Sequence, residues 1–471
     1  MYRLEHDIVG ERSIPKEAYY GVQSLRASEN FNITGKTMHP YMIKSIAEIK
    51  KAAAITNCEI GLLDEEKAAA IAKACDEIIS GWYHDAFIVD PIQGGAGTSF
   101  NMNANEVIAN RAIEILGGEK GNYQLVHPND HVNCGQSTND VFPSAGKLTV
   151  LKLLEEAQVE LERLCSVFSI KAKEFDNVLK MGRTQMQDAV PIRLGQEFQA
   201  YEEVIRRDIQ RVEHAKEEMR CLNMGGTAIG TAINADERYV SHIVPVLSKV
   251  CGMQLKQARN LIDATQNLDG FVVISATIKT CVVSLSKISN DLRLMSSGPR
   301  CGFGEINLPP RQNGSSIMPG KVNPVIPEVV SQIAFNIIGN DMTIVMAAEA
   351  GQLELNAFEP IIFYNLFESI ETLTRGIRTF VDNCISGITP NESRCRELVE
   401  KSVGIVTAIC PHVGYENASN IAKQAIKEGK PVRKLILEKG LLDESALDQI
   451  LNPYAMTSPN RALSNASNLK K

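Results

Sequence analysis

Five stretches of the chain, 146–176, 195–224, 269–297, 325–350 and 358–386, have helical composition with few breakers. Each is roughly 25–30 residues long, and helices of that length point to a coiled coil, a bundle or a membrane span. In the third stretch Phe271, Ile274, Ile278, Cys281, Leu285, Ile288, Leu292 and Met295 recur at three- and four-residue steps. That spacing is one continuous apolar stripe. Val272, Val273, Val282 and Val283 add an apolar patch on another face. A helix apolar on more than one side needs neighbours on more than one side. The pattern therefore predicts a helix deep in a bundle, one that other subunits help to complete. No uninterrupted run of about 18 apolar residues occurs, so a membrane span is not expected.

Before residue 138 the predicted helices are shorter, for example 41–58 and 64–80, with Gly- and Asn-rich loops between them. After Thr389-Pro390 short helices are punctuated by Pro411, Gly414, Gly429, Pro431 and Pro453. Alternating strand patterns are scarce. The expected organisation is all-α in three domains: an N-terminal domain over 1–138, a central long-helix domain over 139–390 and a small C-terminal domain over 391–471. At 471 residues the chain is long enough for that many domains. The 49 Lys and Arg against 56 Asp and Glu leave a net charge of −7, which argues against a nucleic-acid partner. Eleven cysteines are scattered with no C-x-x-C pair, as expected of reduced thiols in the cytoplasm. The first ten residues have no apolar core of a secretory leader. A soluble cytoplasmic protein is expected.

Four segments interrupt the helices with small polar groups. Gln93-Gly94-Gly95-Ala96-Gly97-Thr98-Ser99 opens a helix, where free N–H groups and the positive dipole end suit an anion. An ordinary turn with an N-cap reads the same way, and the glycines do not follow the dinucleotide pattern. His127-Pro128-Asn129-Asp130-His131 is followed by Ser137-Thr138-Asn139-Asp140. Pro128 disfavours a regular helix between the two histidines and no H-E-x-x-H surrounds them, so no metal site is expected. Ser137, Thr138 and Asn139 suit a helix N-cap and equally a grip on a carboxylate. Gly182-Arg183-Thr184-Gln185 reads as a polar loop before the helix containing Glu197. Gly314-Ser315-Ser316-Ile317-Met318-Pro319-Gly320-Lys321-Val322-Asn323-Pro324 fails as a phosphate loop: five residues separate its glycines, and Val322 stands where Ser or Thr would bind magnesium. What remains is a glycine-flanked loop concentrating two serines, a lysine and an asparagine between two long apolar helices.

That last string closely resembles the signature of the fumarase/aspartase superfamily, and the other three segments follow the family's order and spacing over essentially the whole chain. The resemblance implies an all-α fold with a central five-helix bundle. It also implies a homotetramer whose core pools twenty helices, with active sites built from three subunits. Fumarases usually read G-S-G-T-Q, S-S-N-D and G-R-T-H where this chain has Gly95-Ala96-Gly97-Thr98-Ser99, Ser137-Thr138-Asn139-Asp140 and Gly182-Arg183-Thr184-Gln185. These three segments are similar to the branch that deaminates L-aspartate to fumarate and ammonium. His127-Pro128-Asn129-Asp130 is instead similar to the fumarase loop that forms a second, non-catalytic carboxylate site.

By that resemblance Ser315 would be the general base. Thr98, Ser137, Thr138 and Ser316 would grip the β-carboxylate. Lys321, Asn323 and Thr184 would hold the α-carboxylate, with Asn139 and Gln185 near the amino group. The negative charge that develops on the β-carboxylate needs preorganised donors and no cofactor. Activation by a divalent metal away from the chemistry stays open. The alternatives are a fumarase that hydrates fumarate and a lyase fold retired to a structural role. Gln185 has no titratable proton, which favours deamination, and none of the polar set is missing, which favours an enzyme.

Overall fold

The computed structural model describes residues 1–459. Its architecture is all-α: five long helices, Thr138–Glu174, Leu194–Met219, Asp269–Met295, Val325–Glu349 and Glu359–Asn383, with shorter helices on either side in sequence. The strands described form only two-stranded ribbons. Four of the long helices match the stretches expected from periodicity to within a few residues. The first begins at Thr138 instead of near 146 and runs through Pro143. A proline there cannot donate to the carbonyl four residues back, that of Asn139. The Asn223 side-chain amide donates to that carbonyl instead at 2.9 Å, so the first turns survive.

The chain divides into two compact units. One comprises Met1–Val159, Gln210–Val282 and Phe335–Thr374, the other Glu160–Ile209, Val283–Ala334 and Arg375–Lys471, so each long helix contributes to both. In the first unit, helix Thr98–Ile115 is buried on every face. Two of its buried asparagines are satisfied by backbone: Asn103 takes the Ile88 N–H and donates to the Ala86 carbonyl, and Asn110 does the same with Gly121 and Tyr19, while Asn101 and Asn105 donate to the Asn133 side chain. Glu106, held there by the N–H groups of Gly21, Gln23 and Ser24, has its carboxyl lifted by burial to about 7. In the second unit, Val399, Ile405, Ile409, Ile421, Leu435 and Leu447 form a core with Met181 of the hairpin Leu179–Thr184/Gln187–Arg193.

Helices Asp269–Met295 and Val325–Glu349 have the length and mean hydropathy of membrane spans, 1.6 and 1.3 over their most apolar windows. Between them lies a buried polar contact: Asp341 accepts from the Ser275 hydroxyl at 2.7 Å and pairs with Lys279 at 2.5 Å. Along the second of these helices Phe335, Ile338, Met342, Val345 and Met346 are exposed on one face, Phe335 at 66% and Met346 at 62%.

Candidate active site

Three groups of side chains carry the polar chemistry. In the first unit Gly95, Ala96 and Gly97 take left-handed φ of 85°, 52° and 86° in succession, turning the chain sharply into the helix that begins at Thr98. A Cβ on Gly97 would lie 2.4 Å from the Phe142 ring, so only glycine fits there. Thr98 is exposed at the helix start. Beside this helix Ser137 caps the first long helix. Its hydroxyl accepts the Asn139 N–H at 3.2 Å, while the Asp140 carboxylate reaches back to the Ser137 N–H at 2.9 Å, a reciprocal capping box. Thr138 is buried and its hydroxyl accepts from Asn101 at 3.1 Å. The Asn139 amide donates to the Ala228 carbonyl at 2.7 Å. Ser137, Thr138 and Asn101 line a cavity of about 420 Å³ together with Thr227, Ile233 and Asn234.

The two histidines in this region are occupied with backbone. His127 Nδ1 accepts the Asn129 and Asp130 N–H groups, and His131 Nδ1 accepts the His127 N–H at 2.8 Å, around a five-residue π turn that tolerates Pro128. Among the described residues no group of three or more His, Cys, Asp or Glu side chains is arranged to hold a metal ion.

In the second unit Thr184 and Gln185 do not lie on a simple loop. They form the tip of an antiparallel hairpin with Thr184 paired to Gln187. Gln185 and Met186 take φ of 53° and 65°, the two left-handed positions of a type I′ turn, which non-glycine residues occupy at a cost. Both are exposed. Charge anchors the first strand of the hairpin near both its ends. Arg183 donates to the fully buried Glu305 at 2.9 Å and lies 4.0 Å over the Phe303 ring, and Lys180 pairs with Glu197 at 2.9 Å.

The third group is the loop from Gly314 to Asn323. The Gly314 N–H donates to the Lys321 carbonyl at 2.7 Å, and the Asn323 amide donates to the Gly314 carbonyl at 2.9 Å, closing the loop at its neck. A Cβ on Gly314 would meet the Lys321 carbonyl at 2.7 Å. At the turn Ser315 Oγ accepts two backbone N–H groups, from Ile317 at 3.2 Å and Met318 at 3.1 Å. Two donors on one hydroxyl oxygen favour its alkoxide. Ser316 and Lys321 are exposed.

The partners behind these groups lie outside the four polar segments or carry no motif of their own. Lys50 is fully buried and donates to Asn133 at 2.7 Å and Gln136 at 3.0 Å; burial brings its ammonium down to about 7. Asp140 and the 223–234 loop also stand behind these groups. Asn223-Met224-Gly225-Gly226-Thr227-Ala228-Ile229-Gly230-Thr231 breaks the helical pattern with small polar residues as the four recognised segments do. That signal was available.

A lyase family model matches residues 10–339 and a fumarase C C-terminal model matches residues 405–458. The chain belongs to the fumarase/aspartase superfamily of lyases. Within it, the aspartate ammonia-lyase of Bacillus subtilis is 56% identical over 458 residues, 97% of this chain and 96% of that one. Among solved structures, a fumarate lyase:delta crystallin from Brucella melitensis bound to cobalt matches with a TM-score of 0.95 at 51% identity, covering 98% of this chain and 100% of that one. A class II fumarase from Schistosoma mansoni matches with a TM-score of 0.92 at 36% identity, over 98% and 100%.

Proposed function

We infer that this chain is an aspartate ammonia-lyase, reversibly converting L-aspartate to fumarate and ammonium. The observation that carries this is identity of more than half, over 97% of the chain, to a relative of that name, against 36% to the class II fumarase. Ser315 takes the proton from the carbon next to the β-carboxylate, and the electron pair spreads onto that carboxylate as an enediolate. The carbon–nitrogen bond then breaks, and ammonia leaves as the double bond of fumarate forms. A serine acts as a base only when its alkoxide is stabilised. The two N–H groups on Ser315 Oγ support that role. Thr98, Ser137, Thr138 and Ser316 receive the β-carboxylate and the charge that develops on it. Lys321, Asn323 and Thr184 hold the α-carboxylate, and Asn139 and Gln185 face the amino group. The chemistry needs no cofactor on this reading.

The working form is a homotetramer in the cytoplasm. The exposed apolar row Phe335, Ile338, Met342, Val345 and Met346 supports burial against other copies. The reaction is tested by following fumarate absorbance with L-aspartate and, separately, with L-malate. Aspartate should be turned over and malate left nearly untouched; equal or faster malate turnover would make the protein a fumarase.

A further inference from the structure

Asp140 is fully buried behind the turn that carries Ser137, Thr138 and Asn139. One carboxylate oxygen accepts the Ser137 N–H at 2.9 Å. The other accepts two N–H groups from a segment far along the chain, Gly225 at 3.1 Å and Thr227 at 3.1 Å. That segment is strained: Thr227, Ala232 and Asn234, none of them glycine, have φ of 57°, 57° and 62°. Left-handed backbone at such residues persists only where surrounding contacts impose it. Thr227 and Asn234 line the 420 Å³ cavity together with Ser137 and Thr138, so the carboxylate ties together two of the segments that line it. Lys50 and the buried Tyr239 hydroxyl face Asp140 from neighbouring helices. Burial raises the carboxyl to about 6, while the three N–H donors and Lys50 favour its charged form.

We propose that Asp140 is a positioning residue that clamps the Ser137–Asn139 turn to the Gly225–Asn234 loop, making that loop the second wall of the site that receives the substrate carboxylate. This rests on the reading of Ser137 and Thr138 as carboxylate-binding. The amide of Asp140→Asn has nearly the same volume but only one acceptor oxygen. Its NH₂ end would meet either the Ser137 N–H or the pair from Gly225 and Thr227, and one side of the clamp opens.

The test compares the unaltered protein, Asp140→Asn and Asp140→Glu. Equilibrium binding of succinate is measured by calorimetry, alongside steady-state turnover of L-aspartate. Asp140→Asn should keep the parent's oligomeric state, bind succinate at least about tenfold more weakly and show a raised KM together with a lowered kcat. Asp140→Glu, which keeps both acceptors, should recover part of the loss. A folded Asp140→Asn protein that binds succinate and turns over aspartate like its parent overturns the clamp alone. An unaltered protein that neither binds succinate nor deaminates aspartate overturns the functional reading and the clamp with it. If Asp140→Asn does not fold, amide exchange on the unaltered protein decides. Saturating succinate should slow exchange at Ser137, Gly225 and Thr227 together, and protection at Ser137 without Gly225 and Thr227 overturns the clamp.

Discussion

The role proposed for Ser315 would depend on two neighbouring peptide groups. Its hydroxyl faces no carboxylate or imidazole in the described hydrogen bonds, only the Ile317 and Met318 N–H groups. Ser315→Ala should therefore lower kcat by at least the ~10²–10⁴-fold typical of a positioned proton acceptor, with circular dichroism unchanged. Lys321→Met should act differently. On the proposed role it removes a charge that would meet the α-carboxylate in ground and transition states alike, so KM should rise while kcat changes little. Lys50 makes a separate prediction about stability. Its ammonium titrates near 7 in the folded chain and near 10.5 when unfolded. Below pH 7 both states are protonated and folding bears the full cost of burying the cation. Between pH 7 and 10.5 the folded state has released a proton that the unfolded state still holds, so stability rises with pH. Thermal midpoints at pH 7, 8 and 9 should show the parent gaining on Lys50→Met at each step; a constant difference would mean that Lys50 stays charged.

The first long helix and the hairpin show elements completed by residues distant in sequence. The helix keeps its opening turns across Pro143 because Asn223 donates to the Asn139 carbonyl that proline leaves without a partner. Asn223→Ala should destabilise the protein by about 1–3 kcal/mol, the cost of a buried polar group without a partner. In a Pro143→Ala background residue 143 supplies the missing N–H, so the same substitution should cost clearly less. A double-mutant cycle in denaturant measures the coupling. At the hairpin tip Met186 occupies a left-handed position that glycine prefers. Met186→Gly should raise stability by a few tenths of a kcal/mol or more, because the turn no longer forces a side chain into that region.

At the scale of the whole molecule, the exposed apolar row on Val325–Glu349 and the exposed hairpin tip lead to one experiment on the proposed tetramer. If Thr184 and Ser315 reach a shared site from different chains, Ser315→Ala and Thr184→Ala parents should rescue each other. In randomly mixed tetramers roughly a quarter of sites would carry neither lesion. Activity after co-refolding should rise toward that fraction, with mixed tetramers confirmed by native mass spectrometry. Mixed tetramers as inactive as their parents would assign both segments to one chain. Independently, Met342→Lys puts a charge in the middle of the apolar row and should dissociate the assembly, which light scattering would detect.

The five helices, their all-α setting and the polar loops between them were legible in the sequence, because three- and four-residue periodicity and breaker residues are local signals. The motif around Ser315 was legible for the same reason, as a contiguous string. What the sequence could not supply was anything decided by residues far apart. The start of the first helix depends on Asn223, 84 positions away. The strain at Gln185 depends on the pairing of two strands that read as loop. The burial of Lys50 and Asp140 depends on helices and loops meeting around them, and their titration follows from that burial. Local patterning determined which helices form and where the polar chemistry lies. Only tertiary packing decided which buried groups find partners, because a hydrogen bond that replaces water depends on what lies nearby in space.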